Sequence, residues 1–363
     1  MNALLRRSAV AVAAASAMTL SLAACGSDQG SGVRISDDIT VGLLLPENEA
    51  ARYEKFDLPV IKEKIGQLTN NKGTVVYANA KQDATLQNQQ VDKMIADKVD
   101  VLIVDAVDSK AIAGAIKKAK DADIPVVAFD RLAEGPIDAY TSFDNEEVGH
   151  VQGKALLAAL GSKAKGGKIV MMNGAVTDPN AAMFKKGAHK ELDGKVNIGE
   201  EYDTKEWKPE NATANMEGAI ESIGNDKIIG VYSANDGMAG GIITALKSAG
   251  IFPIPPVTGQ DAELAAVQRI VAGDQYASVY KPYAPEAAAA AEMAILLARG
   301  MELGMAQTDV DSPTDKSIPA VLVPVISLTK DNIEDTVVKD GVYTVQDICT
   351  PKYKVACGQV GLK

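Results

Sequence analysis

Short apolar runs alternate with longer amphipathic segments along most of the chain, from about residue 40 onward. The runs are continuous rather than alternating, as in VDVLIVDA at 99–106 and IPVVAFD at 124–130. Between them, segments such as 85–98 and 109–122 carry apolar residues at helical spacing. Continuous apolar strands separated by helices are typical of parallel sheets that helices cover on both faces. The pattern therefore predicts an α/β fold, and a length of 363 residues predicts two such domains.

Polar residues end many of the predicted strands. In sheets of this kind the ligand binds beyond the carboxyl ends of the strands, so these residues are candidates for a binding site. Any one of them could instead be the N-cap of the helix that follows. Their repetition favours a pocket for a ligand rich in hydroxyl groups, where carboxylates accept hydrogen bonds and Arg or Lys donate them. The residues are Asp105, Asp130, Arg131, Asp144, Asn145, Asn173, Asn235, Asp236, Asp261 and Lys281.

Residues 1–24 have the layout of a secretory signal peptide, because Arg6 and Arg7 precede an apolar stretch and no acidic residue is present. A retained transmembrane anchor is the alternative. It is disfavoured because the stretch is short for a membrane span and consists mostly of Ala. The stretch ends in LAAC, which resembles the lipobox of bacterial lipoproteins and implies that Cys25 carries a lipid.

The remainder of the chain is expected to be a body outside the cytoplasmic membrane, held to that membrane only by the lipid. Residues 25–38 are rich in Gly, Ser and Asp and predict a flexible tether. No later segment is long and apolar enough to span a bilayer. The net charge of −11 argues against binding to nucleic acid or to anionic lipid.

Cysteine and histidine usage limits the remaining chemistry. Cys349 and Cys357 lie close together near the C-terminus, and in an oxidising compartment they predict a small disulfide-closed loop. The chain contains only two His, so we expect no metal site, and no motif calls for a cofactor.

Five short motifs closely resemble bacterial periplasmic sugar-binding proteins of the xylose-binding and multiple-sugar-binding type. They are FDRL at 129–132, SFDNEEVG at 142–149, SAND at 233–236, GQDAEL at 259–264 and VYKP at 279–282. The likeness extends from about residue 40 to about residue 341. It implies the type I periplasmic binding protein fold, in which two Rossmann-like lobes are joined by a three-strand hinge.

The resemblance also implies how the chain is divided. We expect an N-terminal lobe at 39–144 plus 282–325 and a C-terminal lobe at 145–281 plus 326–363. A sugar would bind in the cleft between them. The residues that match the family's ligand contacts are Arg52, Asp130, Asp144, Asn145, Asn180, Trp207, Asn235, Asp261 and Lys281.

Two of these matches carry a specific expectation. The fork of Arg52 could donate two parallel hydrogen bonds to adjacent sugar oxygens. Trp207 would cover one face of the sugar ring, although a core tryptophan is the alternative. Tyr53 and Pro179 stand where such proteins usually have Trp and Asn, so the choice of sugar stays open.

The function that the resemblance implies is a monomeric, lipid-anchored binding protein. It would capture xylose, glucose or a related aldopyranose, close around it, and deliver it to the ABC permease of the inner membrane. A sensor that presents its closed form to a chemoreceptor or kinase is the main alternative. A carbohydrate-active enzyme is disfavoured because nothing in the sequence marks one Asp as a general acid and a second Asp as a nucleophile. A repressor of the lac type is disfavoured by the signal peptide and the acidic composition.

Overall fold

The computed structural model describes residues 36–48, 50 and 52–362, which fold into alternating strands and helices. The strands are β1 Thr40–Leu45, β2 Thr74–Asn79, β3 Val101–Val104, β4 Val126–Phe129, β5 Ala139–Phe143, β6 Lys168–Asn173, β7 Ile198–Asp203, β8 Ile228–Ser233, β9 Ser278–Tyr280, β10 Thr308–Val310, β11 Ile318–Val323 and β12 Ile326–Leu328. The helices are α1 Leu58–Leu68, α2 Ala84–Ala96, α3 Ala113–Asp121, α4 Asn145–Leu160, α5 Pro179–Leu192, α6 Pro209–Ile223, α7 Asp236–Ser248, α8 Leu264–Ala272, α9 Tyr283–Ala298, α10 Val345–Ile348 and α11 Lys354–Gln359.

Local residues make two helices shorter than the apolar pattern predicted. The segment 85–98 was expected to be helical throughout, but α2 ends before Lys98, which has a left-handed φ of 58°. The segment 109–122 becomes helical only at α3. Its first residues form a turn, because the Asp108 carboxylate accepts hydrogen bonds from the backbone N–H groups two and three residues later. Apolar periodicity located both helices, and side-chain hydrogen bonds and backbone conformation set their ends.

The first lobe is built on a seven-stranded sheet with the order β10-β11-β5-β4-β3-β1-β2, in which only β10 runs antiparallel to its neighbour. Successive residues of β1 pack on opposite faces. Leu43 joins the apolar cluster that contains Ile65 of α1 and Met293 of α9. Leu44 joins the cluster that contains Met94 of α2. Helices therefore cover both faces of this sheet, which explains why its strands are continuously apolar.

The second lobe contains a parallel three-stranded sheet with the order β7-β6-β8, and an antiparallel pair of β9 and β12. Its core forms from Val170 of β6 with Leu156 of α4, Leu192 of α5, Met216 of α6 and Ile242 of α7. The strands of both parallel sheets direct their carboxyl ends to the loops that carry the candidate site residues.

Three short connections lead between the seven-stranded sheet of the first lobe and the strands of the second lobe. The first joins β5 to α4 through Asp144, and the second joins β9 to α9 through Lys281 and Pro282. The third joins β11 to β12 through 324–325. Because the strands on either side belong to different sheets, these connections are the places where one lobe could rotate relative to the other.

The C-terminal segment packs on the second lobe. Cys349 and Cys357 form a disulfide between α10 and α11. Cys357 is buried in an apolar cluster with Ile270 of α8, Leu328 of β12 and Tyr343. The expected signal peptide at 1–24 and the expected lipid attachment at Cys25 lie outside the described residues, as does most of the tether at 25–38. Within the described ranges, no helix combines the length and apolar composition needed to cross a bilayer.

Candidate functional site

A cavity of about 200 Å³ lies between loops that follow strands of both lobes. Pockets for drug-sized ligands measure roughly 300–1,000 Å³, so this cavity suits a smaller molecule, of the size of one ring. The expected contact residues that line it are Arg52, Asp130, Asn180, Trp207, Asn235, Asp261 and Lys281. The structure therefore brings together residues that are up to 229 positions apart in the sequence.

Asp144 and Asn145 are not part of the cavity wall. The exposed Asp144 carboxylate accepts a hydrogen bond from the backbone N–H of Glu147 at 3.0 Å and is the N-cap of α4. Asn145 is 3% exposed and donates from Nδ2 to the Ser142 hydroxyl at 3.1 Å. For Asp144 the geometry matches the helix-cap alternative, since its side chain is used at the helix terminus.

Arg52 has each of its guanidinium nitrogens paired with a carboxylate. Nε donates to Asp57 at 2.8 Å, one terminal nitrogen donates to Asp130, and the other donates to Glu286 at 2.6 Å. The side chain is 4% exposed, and its guanidinium carbon lies 4.5 Å from the centre of the Tyr283 ring. A guanidinium has five N–H donors, so two of them remain beyond these three pairs. Arg52 thus holds the site's carboxylates in place as well as lining the cavity.

Burial and ion pairing determine which of these carboxyl groups is ionised. Burial opposes the charge of Asp130, but Arg52 and Lys281 outweigh it, and the pKa of Asp130 lies below its usual value. Burial raises the pKa of Asp57 to about 6 and that of Glu286 well above its usual range, although Arg52 opposes both shifts. Asp130 is therefore a carboxylate at neutral pH and can accept hydrogen bonds from ligand hydroxyl groups.

The second lobe contributes residues with fewer partners. The Lys281 ammonium pairs with Asp261 at 2.8 Å, and both side chains line the cavity. The Asn235 amide oxygen accepts a hydrogen bond from the backbone N–H of Met238 at 2.9 Å and caps α7. Asn235 therefore serves as a helix cap through its amide oxygen and also lines the cavity.

Five of the lining residues have left-handed backbone conformations, which are costly for residues other than glycine. The φ angles are 65° at Gln82, 56° at Asp130, 58° at Glu206, 59° at Trp207 and 94° at Asp261. Such conformations cost on the order of 1–3 kcal/mol each and persist where other contacts enforce them. The Asp130 carbonyl accepts a hydrogen bond from the Tyr140 hydroxyl at 2.8 Å, and the Asp261 carbonyl accepts one from the Tyr283 hydroxyl at 2.8 Å. The surrounding structure thus holds the backbone of Asp130 and Asp261 in these conformations.

Trp207 lies at the cavity wall and not in the centre of a core. Its ring packs so closely on Gly174 that a Cβ atom there would lie 1.9 Å from the indole. The ring also contacts Phe184 edge to face, with 6.2 Å between ring centres. Among the described residues the indole N–H has no hydrogen-bond partner. The tryptophan is therefore held by protein on one side and available to a ligand on another.

Contacts across the cleft hold the two lobes together. Asn180 of the second lobe donates to the Asp130 carboxylate at 2.8 Å. Arg131 pairs with Asp178 of the second lobe at 3.0 Å and lies 3.6 Å from Asp105 of its own lobe. These bonds form only when both lobes are close, so the structure represents a closed arrangement.

Several lining residues were not among the expected contacts. Gln260 adjoins the predicted Asp261, and Asp178 lies two residues before the predicted Asn180. Glu47 lies two residues after the end of β1, so the strand-end rule could have found it. Glu206 lies beside the predicted Trp207, and Glu263 lies inside the motif GQDAEL, but neither residue directly follows the end of a strand. The additional polar lining residues are Glu47, Gln82, Arg131, Asp178, Glu206, Gln260 and Glu263.

These features define a two-lobed α/β binding protein with its ligand cavity at the hinge cleft. A family model described as a periplasmic binding protein domain matches residues 41–302. The chain is 35% identical to the D-xylose-binding periplasmic protein of Escherichia coli (strain K12), over 86% of this chain and 93% of that protein. It is 32% identical to a multiple sugar-binding periplasmic protein of Azospirillum brasilense, over 85% of this chain and 90% of that protein.

A comparison with solved structures also finds a solute-binding protein with a similar fold. It is an ABC transporter solute binding protein from Clostridium phytofermentans with bound β-D-glucose, 25% identical to this chain. The alignment has a TM-score of 0.79 and covers 85% of this chain and 99% of that one. The chain belongs to the periplasmic binding protein family, and both the resemblance and the fold class expected from the sequence are confirmed.

Proposed function

We propose that this protein is an extracytoplasmic binding protein that captures a monosaccharide and delivers it to the permease of an ABC importer. The observation that carries the proposal is the combination of hydrogen-bonding side chains and an indole ring around a cavity of about 200 Å³. Hydroxyl groups around a sugar ring can satisfy both carboxylate acceptors and amide or ammonium donors, while the apolar face of the ring can stack on Trp207. The names of the two relatives support a sugar as the ligand.

Each lobe supplies part of the proposed contacts. Arg52 and Asp130 belong to the first lobe, Asn235 and Asp261 belong to the second, and Lys281 lies in a connection between them. A ligand that bonds to both sets stabilises the closed arrangement relative to an open one. Closure would then be the signal that the permease detects.

The proposed lobe boundaries follow the three connections. We place 39–144 with 282–325 in the first lobe, and 145–281 with 326–363 in the second. The positions of Asp144, Lys281 and 324–325 between strands of different sheets support this division. We further propose that the protein acts as a monomer and is anchored through a lipid on Cys25 on the outer side of the cytoplasmic membrane.

Calorimetric titration of the purified protein tests the ligand class. The panel contains xylose, glucose, galactose, arabinose and ribose, with glucuronate as a matched control that adds a carboxylate to the glucose ring. We expect tight binding of one or two aldopyranoses. Glucuronate should bind far more weakly, because six acidic and three basic side chains line the cavity. Binding of glucuronate in preference to glucose, or of no sugar, would refute the proposal.

We also propose that the protein binds its ligand without chemical conversion. The similar proteins reported above are all named as binding proteins. The low pKa of Asp130 makes that group unsuitable as a general acid, which a glycosidase requires. Incubation with aryl glycosides of the sugars that bind should release no phenol, and release that depends on Asp130, Asp261 or Glu263 would contradict this view.

A further inference from the structure

Glu263 differs from the other acidic side chains that line the cavity. Asp130 is bonded to Arg52 and Asn180, and Asp261 is paired with Lys281. Within the described residues, the side-chain oxygens of Glu263 form no hydrogen bond and no ion pair. Its backbone N–H, by contrast, donates to the buried Asp236 carboxylate at 3.0 Å, which fixes the main chain. A fixed backbone thus presents a carboxyl group at the cavity wall without an intramolecular partner.

The groups around Glu263 disfavour its ionised form. Burial, followed by the carboxylates of Asp236 and Asp261, raises its pKa to about 8, with Arg269 of α8 opposing the shift and Glu47 of the first lobe adding to it. Tyr343 of the C-terminal segment also faces this group, and Glu263 contributes to raising the pKa of that phenol. Near neutral pH the side chain is therefore a carboxylic acid, with one O–H donor and a carbonyl acceptor.

We propose that Glu263 is a direct ligand contact and determines which sugars the site accepts by bonding one particular hydroxyl group. This inference rests on the proposed function. A neutral carboxyl group that donates one hydrogen bond and accepts another matches a sugar hydroxyl, which can do the same. An analogue that lacks this hydroxyl leaves the carboxyl unpaired in a closed cavity, so the site discriminates against it.

The same contact makes sugar binding depend on pH. A bound sugar removes water from Glu263 and so penalises the ionised form further, which means that the protonated form binds more tightly. Affinity is therefore expected to be highest below about pH 8 and to fall as the pH rises above it. Glu263→Gln has a donor and an acceptor but no titrating proton. Its affinity at pH 7 should lie within about threefold of the unmodified protein, and it should lose the decline above pH 8.

The test is a titration of four proteins with the best-binding sugar of the panel and with each of its monodeoxy analogues. The proteins are the unmodified chain, Glu263→Ala, Glu263→Gln and Glu217→Ala, whose exposed residue on α6 lies outside the cavity. Glu263→Ala should bind the parent sugar at least tenfold more weakly, and Glu217→Ala should bind it normally. One deoxy analogue should bind the unmodified protein weakly and bind Glu263→Ala with no further loss.

Each other outcome counts against the inference. Unchanged affinity in Glu263→Ala shows that the residue makes no ligand contact, and an equal loss for the parent sugar and every analogue shows a structural role. If Glu263→Ala does not fold, the pH profile of Glu263→Gln decides, and an undiminished decline above pH 8 overturns the inference. If the unmodified protein binds no aldopyranose, the proposed function fails. If it binds one and Glu263→Ala binds it equally well, only this inference fails.

Discussion

The first and second lobes are both α/β units and each supplies half of the cavity wall, but they differ in how their polar side chains are bonded. In the first lobe, Arg52 is fixed by the carboxyl groups of Asp57, Asp130 and Glu286, each of them buried. In the second lobe, Asp261 has one ion-pair partner, and Glu263 has no partner within the described residues. The first half is therefore a preorganised charge network, and the second half has more of its hydrogen-bonding capacity available to a ligand.

The comparison shows that a position at a strand end does not by itself make a side chain a ligand contact. Both Asp130 and Asp144 follow a strand, yet only Asp130 lines the cavity, because the Asp144 carboxylate is used as a helix cap. A side chain can contact the ligand only with the hydrogen-bonding groups that are not already bonded to other parts of the protein. Substitutions at Arg52, Asp130, Trp207 and Asp144, with matched comparison variants, test which side chains are held by the protein and which contact the ligand.

Arg52→Ala should have the largest effect, because it leaves a buried cluster of carboxylates without its central cation. Removing one partner of a buried ion pair typically costs about 3–5 kcal/mol. We expect the free energy of unfolding to fall by about that amount, measured by urea denaturation without sugar. Lys281→Ala, which removes a cation from the second-lobe half, is the matched comparison and should cost less. Equal losses in the two variants would contradict the proposed difference between the halves.

Asp130→Asn should weaken sugar binding about a hundredfold, since truncating a charged hydrogen-bond partner in a buried site costs roughly 2–5 kcal/mol. The backbone at this position is held independently by the Tyr140 and Ser142 hydroxyls, which donate to the Asp130 carbonyl. The variant should therefore remain folded, which circular dichroism can verify. An affinity within threefold of the unmodified protein would remove Asp130 from the list of ligand contacts.

Trp207→Ala should weaken binding by about tenfold, because stacking of an aromatic ring contributes roughly 0.5–1.5 kcal/mol beyond the area it buries. Trp207→Phe keeps an apolar face and should recover most of the loss, as measured by calorimetry. Affinity that is the same in Trp207→Ala and in the unmodified protein would mean that the indole only packs against Gly174 and Phe184.

Asp144→Ala should have the smallest effect and should affect stability alone. Loss of an N-cap costs about 0.5–2 kcal/mol, so the midpoint of thermal unfolding should fall slightly. Sugar affinity should not change, because the carboxylate caps α4 and does not line the cavity. A loss of affinity without a loss of stability would restore Asp144 as the ligand contact that the family resemblance implied.

Much of the site could be predicted from the sequence, but the partners of its residues could not. The motif SAND located Asn235 and the motif GQDAEL located Asp261, and both residues line the cavity. The pairing of Arg52 with Glu286 joins residues 234 positions apart, and no local pattern reports such a contact. Glu263 was also missed, since its role depends on what surrounds it in space and not on its neighbours in the chain.

The sequence by itself determined the α/β class, the approximate positions of the strands and helices, and the polar residues at the strand ends. Continuous apolar runs and helical periodicity are local properties, and the burial of each element on both sides of a sheet requires them. Only the tertiary structure decided which strand-end side chains meet in one cavity and which of them are occupied by caps or ion pairs. The physical reason is that burial, charge balance and hydrogen-bond partners arise from residues far apart in the chain, which come together only when the lobes fold and close.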